Sequence, residues 1–387
     1  MPRVSTGSIP MTDVPFTQEE YQRRQNGVLE KIESGGMDAI AVTAYSHLEY
    51  LSGYDGSGGY FAPFSLILAP GRPPTYVVRK YDEDAVRTES CISEVVPYTQ
   101  EGDQPKAVAD VLRGFGLEEG RLGLELGCWN LAPRDVAALE AELPNLKIVD
   151  ATRVVPSVAA VKSDVEIETM RKAMGFTRIA VDTMNGSLRE GVSEAEVAQA
   201  IRTAVESAGG QIRPFTLLFG PRTALPHGGP TSYALQRNQP VFTEMGGWVN
   251  GYAGSICRSA VLGSHAGAES LHALAEEALQ AAMDAIRPGA MTGDVDAACR
   301  GVVERSGRPE VFRHRTGYQN GVMWSDRGNL SLEPDSKDVL VAGMTFHMPV
   351  ILFEEGLYGV GVSETVLVTD RGCEALSGLP RGIHRVE

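Results

Sequence analysis

Residues 241–263 read VFTEMGGWVNGYAGSICRSAVLG. Asn250-Gly251 lies between runs of alternating residues, a strong short-range signal for a two-residue hairpin turn. Residues 242–245 read as one strand, 248–253 as a return through that turn, and 257–262 as a departing strand, a pair of hairpins. Glu244 lies inside this apolar frame beside glycines. Core packing explains it poorly, because burying an unpaired carboxylate is costly. It either pairs with Arg258 or belongs to a site.

Upstream, Thr17-x-x-Glu20 is a capping box, and Tyr21, Val28, Leu29 and Ile32 then share one helical face before Gly35-Gly36. Strands are expected at 39–43, 65–68, 75–78, 122–126 and 147–150, with helices at 105–114 and 133–142. That alternation predicts an α/β domain with a mainly parallel sheet. Residues 1–16 are Pro-rich and read as a surface arm. Near Val161-Lys162 the texture changes. Capping boxes at Ser163-x-x-Glu166 and Ser193-x-x-Glu196 open long helices, and further helices are expected at 268–286 and 294–306. Strands resume at 343–352 and 361–369. Outer helices around antiparallel strands make the second part α+β, with the boundary placed between 1–160 and 161–387.

At 387 residues the chain is long enough for two domains, each with its own core. Its net charge of −15 argues against nucleic acid as a partner, since such binding needs a basic face. No run approaches the roughly 20 apolar residues that span a bilayer. The N-terminus lacks the pattern of a signal peptide, so a reducing cytoplasm is the expected compartment. Five scattered cysteines without C-x-x-C spacing suggest neither a disulfide framework nor a zinc site; each reads as a small buried apolar residue.

The order of these blocks resembles the pita-bread hydrolases: the family M24 peptidases, creatinase and ectoine hydrolase. The resemblance rests on Tyr50-Leu-Ser-Gly-Tyr-Asp-Gly56, Val161-Lys-Ser163, the frame residues Gly246, Gly251, Tyr252 and Arg258, and the blocks GYQNG (317–321), GMTFH (343–347) and SETV (363–366). It implies a creatinase-like N-terminal α/β domain followed by an α+β pita-bread catalytic domain. Metal-dependent members bind two ions through Asp, Asp, His, Glu and Glu. The matching positions here are Glu244, Ser255, Tyr318, Pro349 and Ser363. Divalent ions favour carboxylate and imidazole, so no metal and no other cofactor is expected.

Two carboxylates without a metal suit a planar cation, because amidinium N–H groups donate charge-assisted hydrogen bonds. Glu244 and Glu364 are expected to hold such a group. His227 matches a family acid/base and is expected to move protons, with His347 the alternative. Tyr318 and Trp324 either contact the ligand or only pack. Arg222, Arg258 and Arg315 are unranked candidates for a substrate carboxylate. The pattern most resembles the ectoine hydrolase branch, which implies opening of a cyclic amidine, a small zwitterionic or cationic substrate. A creatinase-like guanidino substrate and a non-catalytic binding module are the alternatives. Creatinase-like members also imply a homodimer in which Tyr54, Asp55 and Tyr60 reach the partner's cleft. Ser57-Gly58-Gly59 is no phosphate loop, lacking Lys-Ser/Thr and a following helix.

Overall fold

The computed structural model describes residues 14–55, 62–324 and 327–387. The arm at 1–13, Ser57-Gly58-Gly59 and Tyr60 lie outside the described residues. The chain divides into two compact units, 1–159 with 326–328, and 160–325 with 329–387. Among the described residues no helix is long and apolar enough to cross a membrane.

The first unit starts with α1 (Gln18–Ser34), where the Thr17 hydroxyl accepts from Glu20 N at 3.4 Å. Then come β1 (Ala39–Val42), α2 (Tyr45–Ser52), β2 (Ser65–Leu68), β3 (Thr75–Arg79), α3 (Glu83–Glu89) and β4 (Glu94–Tyr98). α4 (Gln104–Phe115), β5 (Arg121–Leu124), α5 (Pro133–Glu142), β6 (Lys147–Asp150) and α6 (Val154–Ala159) complete it. The strand order is β4-β3-β2-β1-β5-β6. The sheet is mainly parallel, as expected, with β2 alone reversed, antiparallel to both β1 and β3. The turn between β2 and β3 is too short for a crossover, so β3 returns as a hairpin.

The second unit opens with α7 (Asp164–Ser187) and α8 (Glu194–Ser207), each behind its complete capping box. β7 (Gln211–Phe219), β8 (Gln239–Val249), β9 (Tyr252–Leu262), α9 (Ala266–Ala285) and α10 (Thr292–Arg305) follow. Then come β10 (Gly317–Gln319), β11 (Ser331–Leu332), β12 (Thr345–Glu354), β13 (Tyr358–Val368), β14 (Cys373–Ala375) and β15 (His384–Val386). They form two sheets, β15-β9-β8-β7 and β11-β10-β12-β13-β14.

The stretch 241–263 is one long hairpin, not two. β8 and β9 stay in register from Gln239↔Leu262 to Val249↔Tyr252. Asn250 and Gly251 turn it with φ of 49° and 83°, as a two-residue primed turn requires. Gly247 and Gly254 do not break the strands. A Cβ there would lie 2.1 Å from the Ala173 carbonyl oxygen and 2.5 Å from Met174 N, so these glycines admit α7.

Strand alternation sorts the side chains. Val241, Met245, Ile256 and Ala260 pack with Val181, Met184, Val197 and Ile201 of α7 and α8. Phe346, Met348, Val362 and Val366 pack with Leu271, Ala275, Val295 and Cys299 of α9 and α10. Each large apolar side chain so buried contributes about 1.5–3 kcal/mol. The opposite faces carry Phe242, Cys257, Ile351 and Phe353, which meet Leu218 in a smaller cluster. The site lies on these inner faces.

Candidate active site

A cavity of about 330 Å³ opens on the inner faces of the second unit. Glu244 of β8 lines it, with Tyr318 of β10, Trp324 after β10, and Pro349, Ile351 and Phe353 of β12. Exposed His227 and His314 and half-buried Arg315 line it too, with Thr216 and Pro226.

Glu244 keeps 13% of its side-chain surface, and burial pushes its carboxyl up to about 7 against a weaker pull from the Cys257 thiol. His347 Nδ1 is 4.0 Å away, but the ring is fully buried. Burial pushes His347 down to about 3, with His314 and Arg258 adding to the effect, so it is neutral near neutrality.

A hydrogen-bond chain fixes the His347 ring. The Trp324 indole N–H donates to Tyr318 Oη at 2.8 Å. The phenolic proton then has one acceptor among the described residues, His347 Nδ1 at 3.0 Å. His347 must therefore carry its proton on Nε2 and donate it to Ser363 Oγ at 2.8 Å. Ser363 Oγ also accepts from the Cys257 backbone N–H at 2.5 Å, and the Cys257 thiol lies within 4.8 Å of the Glu244 carboxylate. Both His347 nitrogens are engaged, which fixes the tautomer and orientation of the ring beside Glu244.

The expected pairing of Glu364 with Glu244 does not form. Glu364 follows Ser363 and so points to the opposite face of β13, where it shares Val362's side of the strand. There it accepts from Arg258 Nη2 at 3.0 Å, with Arg381 Nε at 3.8 Å. Arg258 thus pairs with Glu364, not Glu244. Tyr54 is also corrected. It is 3% exposed, stacked on Phe64 within the first unit at 6.2 Å, and so has no surface to offer a partner's cleft. Asp55 is exposed. Tyr318 and Trp324 do line the cavity, as does His227. Reasoning from sequence missed Cys257, which faces Glu244 in register on β9, and left Arg315 unranked. The period-2 pattern of β9 carried the first signal, because Ser255 and Cys257 share a face.

The first family position belongs to Glu244, but the set does not fit a dinuclear metal centre. Pro349 offers no side-chain donor. Ser255 and Ser363 offer hydroxyls, and burial holds the Tyr318 phenol protonated, well above its ordinary range. Glu244, Cys257 and His347 do bring an oxygen, a sulfur and a nitrogen within 4.8 Å of one another. However, both imidazole nitrogens are committed to hydroxyls, and burial lifts the thiol well above its ordinary range.

The sequence pattern of metallopeptidase family M24 matches residues 168–370, and that of the Creatinase/Prolidase N-terminal domain matches 24–161. The chain belongs to metallopeptidase family M24. This M24 chain is 30% identical over 383 residues to an uncharacterized hydrolase/peptidase, y4tL, of Sinorhizobium fredii, covering 95% of this chain and 96% of that one. It is 27% identical to the ectoine hydrolase of Halomonas elongata, covering 95% and 98%. Among solved structures it resembles the dipeptidase PepE of Mycobacterium ulcerans, with a TM-score of 0.87, 26% identity and coverage of 96% and 99%. The prolidase of Pyrococcus horikoshii shares the fold, with a TM-score of 0.79, 21% identity and coverage of 92% and 99%. The M24 chain is a hydrolase with the two-domain pita-bread fold.

Proposed function

We propose that this chain hydrolyses a C–N bond of a small cyclic amidine, with ectoine as the leading substrate, and that its own side chains replace the dinuclear centre of M24 peptidases. The observation that carries the reading is Glu244, a mostly buried carboxylate on the cavity with no Lys or Arg at ion-pair distance among the described residues. An amidinium would supply the missing cation and donate two N–H bonds to the carboxylate. Tyr318 and Trp324 offer aromatic surface to a planar charged ring. Water adds to the amidinium carbon, a proton passes to the ring nitrogen, and the C–N bond breaks to leave an amide and an amine. His227, exposed on the cavity, moves that proton. His227→Ala should lower kcat by about 10²-fold while substrate still binds.

The likeness to ectoine hydrolase over nearly the whole chain supports this reading. The likeness to a dipeptidase favours a second one, cleavage of dipeptides. Purified protein dialysed against EDTA and incubated with ectoine, hydroxyectoine, creatine and an Xaa-Pro dipeptide panel separates them. The expected result is ectoine opening to N-acetyl-2,4-diaminobutyrate after dialysis. Turnover confined to dipeptides, or strictly dependent on added divalent metal, would overturn it. We further propose that the chain works as a homodimer; a fully active 41.5 kDa species in light scattering would contradict that.

A further inference from the structure

We propose that Arg315 is the specificity-determining residue of the cavity, binding a carboxylate on the substrate while Glu244 binds the cation, so that the site selects zwitterions over simple cations. The inference rests on the amidine reading above and names the second half of the ligand.

Three arginines compete for this role, and the structure ranks them. Arg222 gives Nε to both carboxylate oxygens of Glu194 at 2.9 and 3.1 Å and Nη2 to the Gly229 carbonyl at 3.1 Å. Arg258 is 3% exposed and bound to Glu364, the Ser363 carbonyl at 2.6 Å and the Pro380 carbonyl at 2.9 Å. Both are structural. Arg315 lines the cavity itself and has no carboxylate at ion-pair distance among the described residues.

Arg315 is also held in place. Its Nη1 donates to Ser331 Oγ at 3.2 Å, and its guanidinium lies 4.6 Å from the centre of the Tyr318 ring. One hydrogen bond and one stacking face leave its other N–H groups for a ligand. A planar guanidinium fixed by stacking suits a carboxylate, because two parallel N–H donors match its two oxygens. The Tyr318 ring carries Arg315 on its face and binds His347 through its hydroxyl. The Tyr318 ring thereby holds Arg315 at the cavity wall that Glu244 also lines. A cavity of about 330 Å³ suits a single small ring bearing both charges.

The test compares ectoine with the same cyclic amidine lacking its carboxylate, in wild type, Arg315→Met and Arg315→Lys, by kcat/KM. Wild type should prefer the carboxylated ring. Arg315→Met should lose roughly 10- to 100-fold on ectoine, the range of a charge-assisted hydrogen bond. It should stay within about threefold on the carboxylate-free ring, where no such bond exists. Arg315→Lys, which keeps the charge without the fork, should recover part of the loss. Equal loss on both compounds in Arg315→Met would overturn the inference and leave the amidine reading standing. If wild type turns over neither compound, equilibrium dialysis with the same pair reads the same preference. Failure to bind either would remove the amidine reading and this inference with it.

Discussion

Among the described residues each unit carries one Glu–His–Cys cluster, and the two are connected in opposite ways. In the first, Glu125 meets His47 and Cys128; in the second, Glu244 meets His347 and Cys257. Glu125 Oε2 accepts from Thr43 N at 2.6 Å and Ala44 N at 2.8 Å, and Oε1 bonds His47 Nδ1. Burial alone would push Glu125 up, but the charge and hydrogen bond of His47 and the two backbone N–H groups outweigh it, leaving the carboxyl below its ordinary range. Glu244 is also desolvated, but among the described residues only the neighbouring Cys257 thiol offsets this, so it rises to about 7. His47 spends a ring nitrogen on its carboxylate, whereas His347 spends both on hydroxyls. A fully satisfied carboxylate holds a fold together. An under-satisfied one beside a cavity is where an incoming cation gains most.

The largest expected effect separates the two glutamates by function. Glu244→Gln should reduce kcat/KM on ectoine by about 10²–10⁴-fold, since it loses both the cation partner and a titrating group. Its thermal stability should stay unchanged or rise. Glu125→Gln should do the reverse, losing about 3–5 kcal/mol of stability because a buried charged network is broken, with kcat of the folded fraction near wild type. Denaturant unfolding of both variants alongside initial rates reads the contrast; equal destabilisation would dissolve it.

The pH dependence of stability should carry opposite signs. Glu244 is harder to ionise in the folded state, so wild type loses stability as pH rises from 4.5 to about 7. At about 1.4 kcal/mol per pH unit that loss approaches 3 kcal/mol. Glu125 is easier to ionise when folded, so its contribution is present above the ordinary carboxylate range and is lost as pH falls through its folded value. Subtracting Glu244→Gln from wild type across pH 4 to 8 isolates the first contribution. A flat difference curve would show that Glu244 is solvated.

The smallest effect tests the thiol. Cys257 packs with Phe242, Ile351 and Phe353 and also donates to Glu244. Cys257→Ala should cost about 1 kcal/mol of stability. It should also move the acidic limb of the kcat/KM profile upward, because a donor to the charged form is gone. An unmoved limb would confine Cys257 to packing.

Much of the scaffold was readable from short-range chemistry. Asn250-Gly251 dictated the hairpin, and the boxes at Ser163 and Ser193 dictated the starts of α7 and α8. Gly246-Gly247 misled as a strand break because the reason for it lies in α7, seventy residues upstream. β7 was missed because Arg213 and Pro214 interrupt its apolar pattern, and the register shifts between Ile212 and Phe215. In the site, Glu244 was legible as an unexplained carboxylate. Glu364 could have been rejected from sequence, since with Ser363 facing inward its neighbour must face outward. Arg315 could not have been ranked, because Glu194 and Glu364, which occupy the other two arginines, lie far from them in sequence.

The central claim is that Glu244 waits, partly protonated, for a cation. Calorimetry of benzamidinium binding at pH 7 in buffers of differing ionisation enthalpy tests it directly. Wild type should release about half a proton on binding, as the linkage of a carboxyl with a pKa near 7 to a permanent cation requires. Glu244→Gln should release none and bind more weakly. Binding without proton release, or release that persists in Glu244→Gln, would contradict the account.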